Sequence, residues 1–210
     1  VVWAMWRLPK LPPIVIPGAA APRAGWGALK EGFVFLRGKR NLQMTFYEDI
    51  IAMVFGMPRA LFPAIAAQWY GGSVRDVATV LGLLAAAPAL GALVSGVFSG
   101  PLGRVRWQGR AIVISIVVWG TAIAAFGGVR WLPLALIFLA IAGAADNVSA
   151  VFRATILQAA TPDEYRGRLQ GVFTVVVAGG PRLGDVEAGT VAVMFGETVS
   201  VISGGVACVL

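Results

Sequence analysis

The sequence predicts an all-α protein, a polytopic bundle of transmembrane helices. Three observations carry that expectation. The 27 residues from Val77 to Gly103 and the 19 from Ala111 to Val129 contain no charged side chain, and an α-helix needs about 20 apolar residues to cross a hydrocarbon core of roughly 30 Å. The chain is 58% hydrophobic and 13% charged, against about 25% charged in an ordinary soluble domain. Its Lys and Arg residues fall in short clusters between the apolar runs, which is how membrane topology is encoded.

Taken in order, residues 1–6 (VVWAMW) read as the end of a preceding membrane helix, since they are apolar up to Arg7 and are not preceded by a Met. Residues 7–40 read as a cytoplasmic loop. Its stretch 7–24 holds five prolines, which argues against regular structure. From Trp26 to Arg40 the residues Trp26, Leu29, Phe33 and Leu36 recur at helical spacing with Lys30, Arg37 and Lys39 among them, the pattern of a helix lying in the membrane interface. Residues 41–210 then read as the bundle, with spans near 42–67, 77–100, 111–129, 131–152 and 169–196. A sixth begins at Thr198 and reaches Leu210 after 13 residues, about 20 Å of helix and too short to cross. Both ends of the chain therefore read as cut.

Basic residues in short loops favour the cytoplasm. Thirteen of the 17 Lys and Arg residues lie before the first span, between the second and third, or in the region 153–168 after the fourth. The intervening loops hold only Arg75 and Arg130. The 7–40 loop is thus placed inside, in the cytoplasm. The same scatter explains the net charge of +7 without nucleic acid, because no single basic face results. With no His and the single Cys208, a His/Cys metal site and an internal disulfide are excluded, and no cofactor is expected.

The charges inside the spans are the informative ones. The second, third and sixth spans have none, whereas the first holds Glu48, Asp49 and Arg59, the fourth Asp146 with Asn147 beside it, and the fifth Arg182, Asp185 and Glu187. A charge at the bilayer centre costs about 2.5–3.5 kcal/mol on insertion scales, so such groups face a bundle interior or an aqueous cavity. Glu48, Asp49, Arg59, Asp146, Asn147, Arg182 and Asp185 are accordingly the candidates for a substrate or proton pathway. The plainer alternative for each charge is a static ion pair that fixes helix packing. Glu48 and Asp49 point about 100° apart, so only one is expected to face the cavity. Arg182 and Asp185, at i,i+3, are placed to neutralise each other.

Helix breaks are the second kind of candidate. Gly179-Gly180-Pro181 falls near the middle of the fifth span and Pro58 follows Gly56 in the first. A break at the midplane frees backbone groups that can bind substrate or ions; a simple kink is the alternative, favoured for Pro58. In the second span Gly91 and Ser95, Ala92 and Gly96, and Gly96 and Gly100 form small-xxx-small pairs suited to close packing. Thr161, Pro162 and Glu164 read as N-cap, first helical residue and third residue of a capping box. Arg166 and Arg168 would then lie at the level of anionic headgroups.

Six spans after a long basic loop resemble the C-terminal half of a major facilitator superfamily transporter. The strings GMPRALFP (56–63), GAADNVSAVFRATILQ (143–158), TPDEYRGRLQG (161–171) and VAGGPRLGDVEAG (177–189) are similar to the branch of bacterial enterobactin exporters and macrolide-efflux proteins. The resemblance implies a six-helix half-fold, helices seven to twelve of twelve, with a missing N-terminal half as partner. One motif departs from the pattern. The superfamily's loop signature survives only as Gly100-Pro101-Leu102-Gly103-Arg104 with Gly109-Arg110, without its Asp, so a basic topology anchor is the simpler reading there.

The function expected is secondary active export of a small amphipathic molecule, of siderophore or drug type, across the cytoplasmic membrane by proton antiport and alternating access. Asp146, Asp49 and Glu48 are the candidates for protonation, and Arg59 and Arg182 for holding counter-charges. The alternatives are a polytopic membrane enzyme, disfavoured because nothing assembles a nucleophile with its base or a metal cluster, and a passive channel subunit, for which no filter loop is apparent.

Overall fold

The computed structural model describes residues 25–210; the expectations for 1–6 and 7–24 lie outside the described residues. Among the described residues the secondary structure is helical throughout: α1 (Trp26–Arg37), α2 (Arg40–Phe55), α3 (Phe62–Trp69), α4 (Val74–Val97), α5 (Gln108–Gly128), α6 (Leu132–Ala160), α7 (Asp163–Phe195) and α8 (Glu197–Ala207). Short 3-10 turns at Pro58–Leu61 and Gly100–Arg104 join α2 to α3 and α4 to α5. Four stretches are long and apolar enough to cross a bilayer: Arg40–Trp69, Val74–Val97, Gln108–Gly128 and Leu132–Ala160. The protein is a multi-pass membrane protein, an all-α helix bundle.

The fifth expected span differs from these four. Helix α7 has 33 residues, about 50 Å at 1.5 Å per residue, so length does not limit it. Charge does: Asp163, Glu164, Arg166, Arg168, Arg182, Asp185 and Glu187 all lie on it. The sixth, α8, has 11 residues.

Several boundaries move for identifiable reasons. Helix α4 starts at a capping box absent from the sequence expectations, in which the Ser73 hydroxyl accepts from the Asp76 amide and the Asp76 carboxylate accepts from the Ser73 amide. Helix α6 continues past the expected end at 152 to Ala160. Nothing in Phe152–Ala160 breaks a helix, and the first residue disfavoured in that conformation is Thr161, because Pro162 follows it. Arg153 is therefore a buried residue of a spanning helix and not, as expected, a loop cation.

The expected capping box at Thr161 does not form. Pro162 is extended, with ψ 148°, so α7 begins one residue later, at Asp163, and no side chain caps it. The Thr161 hydroxyl is buried without a hydrogen-bond partner. Arg166 and Arg168, expected at anionic headgroups, have acids beside them, Asp163 at 3.0 Å and Glu31 of α1 at 2.9 Å.

The expected break at Gly179-Gly180-Pro181 is also corrected, since α7 runs through it as continuous α-helix. Pro181 removes one backbone donor, but the glycines serve packing. A Cβ on Gly184 would collide with the Met53 carbonyl, and one on Gly180 would lie 2.9 Å from the Met53 Sδ. They let α2 and α7 approach closely. The first span does break where Pro58 stands: α2 ends at Phe55, Gly56 and Met57 leave the helix, and the 3-10 turn starts at Pro58.

Packing elsewhere follows the small residues. Helices α4 and α6 cross where a Cβ on Gly91 would meet the Ala140 carbonyl and one on Gly143 the Pro88 carbonyl. Asn147 donates to the Ser95 hydroxyl at 3.0 Å one turn further along. The main core gathers Ile65, Leu84, Trp119, Phe126 and Leu139 from α3 to α6. At one end of the bundle the Arg130 guanidinium stacks 3.6 Å over the Trp69 ring and donates to the Thr198 hydroxyl at 2.6 Å. There Gln68 donates to Glu197 at 2.8 Å.

On the basic bias the Gly100–Arg104 turn is expected on the cytoplasmic side. In a Cys208→Ser background, Gly103→Cys should react with an impermeant thiol reagent only after the membrane is opened; a Cβ there meets nothing within 4 Å. Labelling from outside intact cells would reverse the assignment.

Candidate functional site

Helix α2 buries Leu42, Thr45, Phe46, Asp49, Ala52 and Met53, a stripe at three- and four-residue spacing. Asp49 sits inside that apolar stripe. Glu48, about 100° around the helix, is half-buried. Between the two acids it is thus Asp49 that turns fully inward.

What faces Asp49 comes from α6. Asp146, Ser149 and Arg153 recur there at i, i+3 and i+7 and share one face. The Arg153 Nη2 lies 3.0 Å from the Asp49 carboxylate and 3.7 Å from that of Asp146. Its Nη1 donates to the Ser149 hydroxyl at 2.9 Å. Its Nε is buried without a partner. One cation is held between two anions donated by two different helices.

The two carboxylates are not equivalent. The Asp49 side chain is 3% exposed and that of Asp146 38%. The buried Asp49 needs Arg153, because an ion taken out of water is tolerated only with a close, hydrogen-bonded partner. Asp146 is partly exposed and makes the longer contact. The group carries one net negative charge when both acids are ionised, and adding a single proton to either makes it neutral.

Asp146 also borders a small cavity of about 40 Å³, whose wall includes Pro58, Arg59, Phe62 and Trp119. The break at Gly56–Met57 thus brings Arg59 to the same recess as Asp146. Arg59 is exposed and makes no ion pair among the described residues. The expected pairing of Arg182 with Asp185 is absent: Arg182 is exposed, Asp185 half-buried, and none of the ion pairs among the described residues joins them. Both lie on α7, and neither is among the partners of Arg153. Asn147 is turned to α4, where it holds Ser95.

Of the candidates, Asp49 and Asp146 are brought together. The residue that joins them, Arg153, is a loop cation on the sequence expectation. The signal that could have found it is present: Asp146, Ser149 and Arg153 share a helical face with no breaker between Asp146 and Thr161.

The enterobactin exporter EntS of Citrobacter koseri is 31% identical over 152 residues, 72% of this chain and 35% of the relative. That of Escherichia coli O81 is 30% identical over 147 residues, 70% of this chain and 34% of the relative. That of Shigella boydii serotype 18 is 30% identical over 147 residues, with the same coverage. The chain spans about a third of the length of the curated relatives it matches. No family model and no solved structure matches it. The resemblance to the enterobactin-exporter branch therefore extends over most of this chain.

Proposed function

We propose that this chain is the C-terminal six-helix part, helices seven to twelve, of a major facilitator exporter in the bacterial cytoplasmic membrane. The intact protein carries a small siderophore-type molecule outward by proton antiport and alternating access, its other half supplying the remaining wall of the path. Support comes from the named exporters it resembles and from membrane-spanning helices that bury charge on one internal face.

The single observation that carries the mechanism is Arg153 held between a buried and an accessible carboxylate. While both acids are ionised, Arg153 is shared. A proton arriving at Asp146, the accessible member, removes its pull on the guanidinium and leaves Arg153 wholly to Asp49. The contact between α2 and α6 tightens as a result. Loss of the proton restores the shared arrangement, so the load on Asp146 is expressed as a change in how two helices hold each other.

The test uses the intact transporter containing this chain. Asp146→Asn keeps size and hydrogen bonding while removing titration. Proton-gradient-driven efflux should fall by an order of magnitude or more, with thermal stability in detergent nearly unchanged because Arg153 keeps its 3.0 Å contact with Asp49. Normal coupling in the variant would remove Asp146 from the proton path. A fall in stability equal to the fall in transport would make it a structural ion-pair partner.

A further inference from the structure

Helix α1 is fixed by one face and bare on the other. Its inner face carries Leu29, Gly32 and Leu36 against α7, where a Cβ on Gly32 would lie 2.9 Å from Val172 Cγ2 and 3.1 Å from the Arg168 carbonyl. Glu31 bonds Arg168 across the same seam, and Phe35 stacks on Tyr165 with ring centroids 4.5 Å apart. The opposite face, at i, i+4, i+7, i+8 and i+11, is Trp26, Lys30, Phe33, Val34 and Arg37. Trp26 is 88% exposed, Phe33 52% and Val34 61%. Arg40, at the start of α2, extends the basic edge.

That face mixes two chemistries in alternation, large apolar side chains with cations. Lys30, Arg37 and Arg40 make no ion pair among the described residues. By contrast, Arg168 is paired with Glu31 across the seam, and Arg166 has Asp163 beside it on the surface. Rings that enter the acyl boundary beside ammonium and guanidinium groups at phosphate depth are the chemistry of an anionic bilayer surface. A water-facing helix has no use for Trp26, Phe33 and Val34, and lipid phosphates offer the three cations their counter-charge at the same depth as the acyl boundary.

We propose that α1 is an anionic-phospholipid-binding element: Trp26, Phe33 and Val34 insert at the headgroup boundary while Lys30, Arg37 and Arg40 bind lipid phosphates. Because its other face is seated on α7, the lipid contact is transmitted to the start of that helix through Glu31, Gly32 and Phe35. The inference is independent of what the protein transports.

The experiment places an environment-sensitive fluorophore on Phe33→Cys in the full chain, in a Cys208→Ser background. The labelled protein is reconstituted in nanodiscs of phosphatidylcholine alone or with about one third phosphatidylglycerol. The expected result is a blue-shifted emission, quenched by brominated lipid, that strengthens with phosphatidylglycerol. Lys30→Gln, Arg37→Gln and Arg40→Gln should each lower the apparent preference for phosphatidylglycerol about five-fold, at roughly 1 kcal/mol per charge. Raised salt should do the same. A blue-shifted emission that brominated lipid does not quench, or an emission unshifted in both lipids, would overturn the proposal, the first by showing a protein cover and the second a face in water. Equal quenching in neutral and anionic lipid would also overturn it, leaving a merely apolar contact.

Discussion

Arg153→Gln should destabilise the protein more than any other single charge change, by about 3–5 kcal/mol, because it leaves the carboxylate of Asp49, 3% exposed, buried without its counter-ion. The loss should be recovered in large part by Asp49→Asn in the same chain. Without the anion, the two introduced amide side chains can meet as neutral partners. Asp49→Asn alone should be milder, since Arg153 retains Asp146 at 3.7 Å and Ser149 at 2.9 Å. Thermal unfolding in detergent of the two single variants and the double variant gives the coupling energy directly. A double variant no more stable than Arg153→Gln would show that the guanidinium acts through packing and not through the ion pair.

Gly143→Leu is the second expected failure, and it involves no charge. A Cβ on Gly143 would already collide with the Pro88 carbonyl, and the reciprocal contact places Gly91 on the Ala140 carbonyl. Backbone cannot swing aside as the end of a flexible side chain can, so α4 and α6 must separate along their crossing. Overpacking of this kind costs about 1–3 kcal/mol or more. The separation also breaks the Asn147–Ser95 hydrogen bond. Gly100→Leu is the control: it belongs to the same small-residue row of the sequence, but a Cβ there meets nothing within 4 Å. Comparing detergent-solubilised yield and melting temperature of the two should show a severe defect only in the first. Equal behaviour would mean that α4 and α6 can shift apart without penalty.

What could be read from sequence was whatever a single helix encodes by itself. Uncharged runs marked α4 and α5, and the small residues of α4 marked its close-packed face, with Gly91 and Ser95 engaged and Gly100 not. Asp49 and Asp146 were legible as costly charges. Arg153 was not, because whether an Arg ends a span or lies buried in one is decided by a partner in another helix, here Asp49. Gly179-Gly180-Pro181 shows the converse error. A Gly-Pro cluster weakens a helix in isolation, yet Gly180 and Gly184 lie under Met53, and the contact they permit holds α7 in the conformation that the local sequence disfavours. The slip at Thr161 is of a third kind. The residues of a capping box were present, but Pro162 adopted the extended ψ of an N-cap instead of the helical ψ of a first residue, which moved the register by one.

The Arg130 cluster has a mechanical meaning. One guanidinium rests on Trp69 from the end of α3, springs from the link between α5 and α6, and holds Thr198 at the start of α8, while Gln68 and Glu197 tie the same ends again. Three helix ends are thereby riveted into a plate. Parting those ends would break a ring contact and two hydrogen bonds at once, so they are expected to move together as one plate.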